Sequence, residues 1–87
     1  MALIRHLALS FVHDLDPDSL TPLFEQLAGV LRAEIDAGRI TSRLPSETSL
    51  VQQYGVSRGT VRRAVALLID VGYAQVSRGR GTFVTKR

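Results

Sequence analysis

A mainly α fold closed by a small β-hairpin (α+β), with three helices ahead of the hairpin and an extra strand at the N-terminus, is what this 87-residue sequence predicts. Three observations predict it. Apolar residues recur at three- and four-residue spacing after Thr21-Pro22, Gly55 lies between two helix-start serines, Ser46 and Ser57, and two β-prone runs flank Arg78-Gly-Arg-Gly81. The chain has room for a single core. A domain of this length buries only ~60–65% of its unfolded surface, so nearly every apolar stripe must join that core. Cysteine is absent, which excludes a disulfide framework, thiolate metal ligation and thiol catalysis.

Residues Leu3 to Val12 are aliphatic-rich without a turn former and read as an extended strand. Asp14 to Ser19 is turn chemistry, since Pro17 lacks an amide hydrogen and aspartates favour local hydrogen bonds. Residues 1–19 thus divide off as a strand and connector from a folded domain over 20–87. Thr21 offers a capping oxygen and Pro22 a residue suited to the first helical position, opening a helix over about 22–37. Its core stripe is Leu23, Leu27, Val30, Leu31 and Ile35, and Gly38 supplies the stop.

Ser46 caps a short second helix in which Glu47 suits the positive end of the dipole and Leu50, Val51 and Tyr54 face inward. Gly55 ends it. Ser57 caps the third helix so soon afterwards that the pair forms a helix-turn-helix. Val61, Ala64, Val65 and Leu68 lie within an arc of roughly 100°, so Arg58, Gly59, Arg62 and Arg63 are directed elsewhere, with the three guanidinium groups expected to face out together. After Gly72, the runs Tyr73–Ser77 and Thr82–Thr85 make a hairpin around the glycine-rich turn.

The net charge of +3 conceals an asymmetry. Residues 1–37 hold two arginines against six acids, net −4, whereas residues 38–87 hold nine basic groups against Glu47 and Asp70, net +7. Ten of the eleven cations are arginine, whose planar fork binds phosphate or a guanine edge through paired hydrogen bonds. The basic half is the candidate reader of a polyanion.

A helix-turn-helix followed by a basic hairpin is the order of a winged helix, whose third helix fits the major groove and reads it with N-terminal residues. Here those residues are Ser57, Arg58, Gly59, Thr60 and Arg62. Arg58 and Arg62 are one turn apart and share an edge. Gly59 lowers helix propensity by ~1 kcal/mol relative to alanine, which points to close backbone approach by DNA or, more plainly, to a tolerated surface glycine. The bland alternative for the arginines is a solvated face paired with Asp70 or Glu47. For Arg78 and Arg80 it is a solubilised hairpin tip, against minor-groove or phosphate contact.

The stretch Pro22 to Val84 resembles the DNA-binding domain of the GntR family of bacterial transcription regulators. The resemblance rests on Pro22-Leu-Phe-Glu-Gln-Leu27, Leu44-Pro-Ser-Glu47, Val56-Ser-Arg-Gly-Thr-Val-Arg62 and Gly79-Arg-Gly-Thr-Phe-Val84, four ordered motifs over roughly three-quarters of the chain. It implies a winged-helix regulator of double-stranded DNA, most simply a repressor, with Ser57, Arg58, Thr60 and Arg62 in the recognition helix and Arg78 and Gly79 at the wing tip. Arg63 and Arg80 join them as flanking cations. Thr48 stands where the family often has a DNA-contacting arginine, and Gly59 replaces a usually larger residue, so base preference should differ. The turn from Gly38 to Leu44 is about two residues shorter than the family's and lacks its Pro-Gly pair.

Family members normally continue into an effector-binding, dimerising domain, whereas this sequence stops at Thr85-Lys-Arg87. The initiating Met and the apolar strand favour a self-contained protein over the DNA-binding fragment of a larger effector-responsive regulator. An unpaired aliphatic strand needs a partner: a second copy, giving a homodimer through Leu3–Val12 and an inverted-repeat operator, or this chain's own wing or first helix. A protein-interaction module using the same basic face is the rival from another class.

No catalytic, cofactor or metal site is expected. Asp14, Asp16 and Asp18 imitate a calcium-loop register, but Ser19 takes the required glycine position and prolines restrict the backbone. His6 and His13 are too few for zinc. Neither a signal peptide nor a membrane span is evident, so a cytoplasmic location is expected. The five aromatics read as mostly core-facing and not interleaved with arginine, which disfavours single-stranded RNA as partner.

Overall fold

The structure, a computed structural model, describes residues 15–85. The expected strand at Leu3–Val12 lies outside them. Among the described residues three helices, α1 (Leu23–Asp36), α2 (Glu47–Tyr54) and α3 (Arg58–Asp70), precede strands β1 (Ala74–Ser77) and β2 (Gly81–Val84). The strands pair antiparallel with Ala74 opposite Val84, Gln75 opposite Phe83, Val76 opposite Thr82 and Ser77 opposite Gly81. This is the predicted mainly helical α+β architecture.

α1 begins one residue later than expected, and Thr21 does not cap it. Pro22 itself is the cap residue, with an extended ψ of 148° and no side-chain cap bond. Its carbonyl accepts from the amides of Glu25 and Gln26 at 3.0 and 3.1 Å. The side chain of Gln26 ties down the connector: Nε2 donates to the carbonyls of Asp16 and Thr21 (2.8 and 2.7 Å), and Oε1 accepts from the Asp16 amide (2.8 Å). The Asp16 carboxylate is engaged by the Asp18 amide at 3.0 Å. This local bond is the turn chemistry that the sequence predicts for the connector.

Both long helices end in the same hydrogen-bond pattern. Beyond α1, the amides of Gly38 and Arg39 donate to the carbonyls of Ile35 and Glu34; beyond α3, those of Gly72 and Tyr73 donate to Ile69 and Leu68. Each closure satisfies carbonyls that the helix leaves open and turns the chain sharply. The second turn feeds directly into β1.

One core joins these elements. α1 supplies Leu27, Ala28, Leu31 and Ile35, α2 Leu50, and α3 Val61, Ala64 and Leu68, with Leu44, Tyr73 and Ala74 completing the buried set. Among the described residues no buried group is polar or charged apart from what Tyr73 carries. Its hydroxyl donates to the Asp36 carboxylate at 3.1 Å, and the Arg32 guanidinium lies 4.7 Å above its ring, pinning the end of α1 to the start of β1.

A third segment, unforeseen from the sequence, pairs with the wing. Arg43 forms an antiparallel bridge with Phe83, the Leu44 amide donates to Thr82 at 2.9 Å, and the Val84 amide donates to Ser42 at 2.7 Å. The signal was available in Pro45, which forces the preceding Leu44 into extended backbone. Extended backbone can then join a sheet edge.

Leu68 is fully buried on the face of α3 that meets α1. Leu68→Ala should destabilise the fold by about 2–5 kcal/mol, read as a shift in urea midpoint. A loss below ~1 kcal/mol would contradict this placement of the core.

Candidate nucleic-acid interface

The turn between α2 and α3 is made by Gly55, at φ 66° and ψ 36°, a left-handed conformation that side chains resist. Each flanking helix is opened by a serine used in the same way. Ser46 Oγ accepts from the Ser49 amide at 3.1 Å, and Ser57 Oγ accepts from the Thr60 amide at 3.0 Å. Each hydroxyl also bonds the side chain three residues on, Ser49 or Thr60, at 3.0 Å. Ser57 and Thr60 therefore set the start of α3 through bonds to each other.

Arg58 and Arg62 project from one edge of α3 and converge on Glu47 in the first turn of α2. Arg58 Nη1 donates to Oε1 at 2.9 Å and to Thr48 Oγ1 at 3.4 Å. Arg62 donates through Nε to Oε2 and through Nη2 to Oε1, the latter at 3.2 Å. Both arginines stay mostly exposed, with 55% and 70% of their side-chain surface accessible. The pairing with Glu47 that the sequence offered as the bland alternative is present, and it leaves the guanidinium groups on the surface.

The expectation that three arginines face out together is corrected. At 100° per residue Arg62 lies 40° from Arg58 around the axis, but Arg63 lies a further 100° away. Its guanidinium sits 4.8 Å above the ring of Phe24 in α1, on a different side of α3. Gly59 is exposed, and a Cβ there would meet only Ser57 Oγ at 3.8 Å. Nothing in the packing of the described residues requires glycine at this position.

At the wing, the Arg80 amide donates to Ser77 at 2.9 Å and Gly79 takes φ 77°, which turns the chain tightly and leaves Arg78 exposed at the tip. Arg80 and Arg43 lie over the same Phe83 ring, at 5.7 and 5.3 Å. The aromatics are thus more involved with arginine than the sequence suggested: Phe24, Tyr73 and Phe83 each carry a guanidinium over the ring. Residues distant in sequence form these pairs, so reading neighbours along the chain could not find them.

Helix edge and wing border one surface. An open groove of about 760 Å³ has Leu50, Val61, Val65 and Ile69 among its apolar lining, and Arg43, Glu47, Arg62 and Arg80 among its charged lining. Arg43 and Glu47 are the residues that the sequence reading left out of the site. Arg39, by contrast, is spent on Glu34 through two bonds of 2.9 Å and takes no part in this lining.

The hydrogen bonds from Arg62 and Arg58 hold the Glu47 carboxyl below its ordinary pKa, and Glu47 in turn raises that of Arg62. Because the folded-state pKa is lowered, the pairing is intact above the ordinary carboxylate range and is lost only as pH falls through the lowered value. Among the described residues no helix is long and apolar enough to cross a membrane.

The family of bacterial regulatory proteins designated gntR matches this chain over residues 23–84. The HTH-type transcriptional repressor NagR of Bacillus subtilis is 36% identical over 75 residues, covering 84% of this chain and 31% of that protein. YtrA from Sulfolobus acidocaldarius, a GntR-family transcription factor, superposes with a TM-score of 0.77 at 29% identity, over 87% of this chain and 82% of that one. AraR(DBD), in a crystal structure with operator ORR3, superposes with a TM-score of 0.71 at 35% identity, over 80% and 87% of the two chains. The present chain spans about 30% of the length of relatives such as NagR.

The glycine and the carboxylate can each be tested directly. Gly59→Ala should leave the fold intact and stabilise it by up to about 1 kcal/mol, seen as a raised melting midpoint; a lowered midpoint would show that the fold does need glycine there. The Glu47 side-chain carboxyl carbon, followed by NMR, should titrate below an unpaired glutamate. A midpoint at or above that of a free glutamate would refute the pairing in solution.

Proposed function

We propose that this chain, which belongs to the GntR family of bacterial regulatory proteins, binds operator DNA as a transcription regulator, most simply a repressor that acts in the cytoplasm. The observation that carries the reading is the convergence of Arg62 at the helix edge and Arg80 in the wing on one groove. A helix about 10–12 Å across fits the ~12 Å major groove, and a hairpin beside it meets the adjacent minor groove or its phosphates.

Arg58 and Arg62 are assigned to guanine edges, with the exposed Gly59 between them allowing backbone approach. Ser57 and Thr60 fix the helix start, and Thr48 adjoins Arg58. Arg78 and Gly79 are assigned to the minor groove, and Arg63 and Arg80 to phosphates on the two flanks. The repressor NagR and the operator-bound AraR domain support operator binding by similarity. Binding, not catalysis, is the role, and no cofactor or metal enters it. A homodimer on an inverted repeat, with Leu3–Val12 as one contact and residues 1–19 as an arm beside the domain over 20–87, fits the two-fold symmetry of such operators.

The test uses the full chain with a duplex it selects from a random-sequence pool, and with random duplex as comparison. Arg58→Ala and Arg62→Ala should each cost about 1–3 kcal/mol on the selected duplex and relax sequence preference. Arg63→Ala should weaken both duplexes alike and flatten the salt dependence by about one unit. Equal losses for all three variants on both duplexes would refute the division into base and phosphate contacts.

A further inference from the structure

We propose that Glu47 is a specificity-determining residue of the interface, a carboxylate that orients Arg58 and Arg62 for base edges and withholds them from phosphates. The inference rests on the assignment of these arginines to DNA and concerns a residue that the assignment does not itself include. Its starting point is an acid at the middle of the surface meant to meet a polyanion. Such a group opposes binding electrostatically, so its presence calls for a compensating role.

Donor geometry supplies one. A guanidinium has five N–H groups, arranged so that two different edges can each make a paired contact. Arg62 gives Nε and one Nη2 hydrogen to Glu47. Its end-on edge, Nη1 with the remaining Nη2 hydrogen, stays complete. Arg58 gives only Nη1, to Glu47 and Thr48. Its side edge, Nε with Nη2, stays complete. Each arginine therefore keeps one whole fork for the O6 and N7 of a guanine without leaving Glu47.

The same arrangement discriminates. Glu47 shares one negative charge between two cations, so the cluster carries one net positive charge where it would otherwise carry two. That lessens the repulsion between neighbouring guanidinium groups and holds them in place before DNA arrives. On non-cognate duplex, attraction comes chiefly from phosphates. An open fork that turns to a phosphate carries the carboxylate toward further negative charge, and no paired base contact offsets that cost.

The experiment measures salt-dependent affinity of the full chain for its selected duplex and for random duplex, in wild type, Glu47→Gln and Glu47→Asp, with thermal melts to verify folding. Glu47→Gln should bind random duplex about 10-fold tighter, with a salt slope steeper by about 0.9 for each further phosphate that the freed arginines neutralise. The ratio of selected to random affinity should fall at least 10-fold. Glu47→Asp keeps the charge on a shorter side chain, so it should retain weak random binding while losing affinity for the selected duplex.

Equal changes on both duplexes with unaltered slope would assign Glu47 a merely structural role and overturn the proposal. Tighter random binding by the Asp variant would overturn it as well, since charge is then not the cause. Wild type without any sequence preference would instead refute base reading by α3, a failure distinguishable from that of Glu47 alone.

Discussion

Backbone pairing between the segment before α2 and the wing is the constraint on which the surface depends. A two-stranded hairpin of four-residue strands is marginal on its own, yet here its outer strand is held by Ser42 and Leu44 through bonds of 2.7 and 2.9 Å. Leu44 is also buried, so the same residue anchors the sheet edge and fills the core. Pro45 and the Ser46 cap follow at once. The start of α2, which presents Glu47, is therefore registered against the wing, which presents Arg80. From this register comes a groove bordered by both, without any direct ion pair between wing and helix among the described residues.

The charge distribution is organised by the fold more than by the sequence. Net charge of +7 over residues 38–87 marks that half as the candidate reader of a polyanion, and the structure gives its arginines distinct tasks. Arg39 closes the end of α1 on Glu34. Arg43 and Arg80 cover Phe83, and Arg63 covers Phe24. A guanidinium stacked on a ring keeps its donors around the rim while its flat face shields apolar surface. These residues thus contribute to packing and remain available to an anion.

Much of the fold was legible because its signals are local. Ser46 and Ser57 announced helix starts through bonds three residues away, and Gly38, Gly55 and Gly72 marked the ends. The stripe of Leu27, Leu31 and Ile35 followed from helical period alone. Thr21 misled because threonine before proline satisfies a local rule, whereas the chain spends its donors and acceptors on Gln26 instead. What could not be read were contacts between distant segments such as Arg43 with Phe83 and Arg63 with Phe24, whereas Glu47 already stood as a candidate partner of the α3 arginines. The angular separation of Arg63 from Arg58 was calculable from 100° per residue. The ring that Arg63 covers was not, because it required knowing how α1 lies against α3.

Glu47 shows why local and tertiary readings of one residue can both hold. In its own helix it is an acid in the first turn, where a negative charge suits the exposed amides. Across the turn it is the counter-charge of α3. Either relation alone would tolerate aspartate, or a carboxylate one position along. Satisfying both requires a side chain long enough to reach two guanidinium groups from the first residue of an eight-residue helix, whose direction is set by Gly55. The helix-turn-helix geometry thus fixes the carboxylate, and the carboxylate fixes which edges of Arg58 and Arg62 remain open. The chemistry presented by α3 is determined partly by the helix that precedes it.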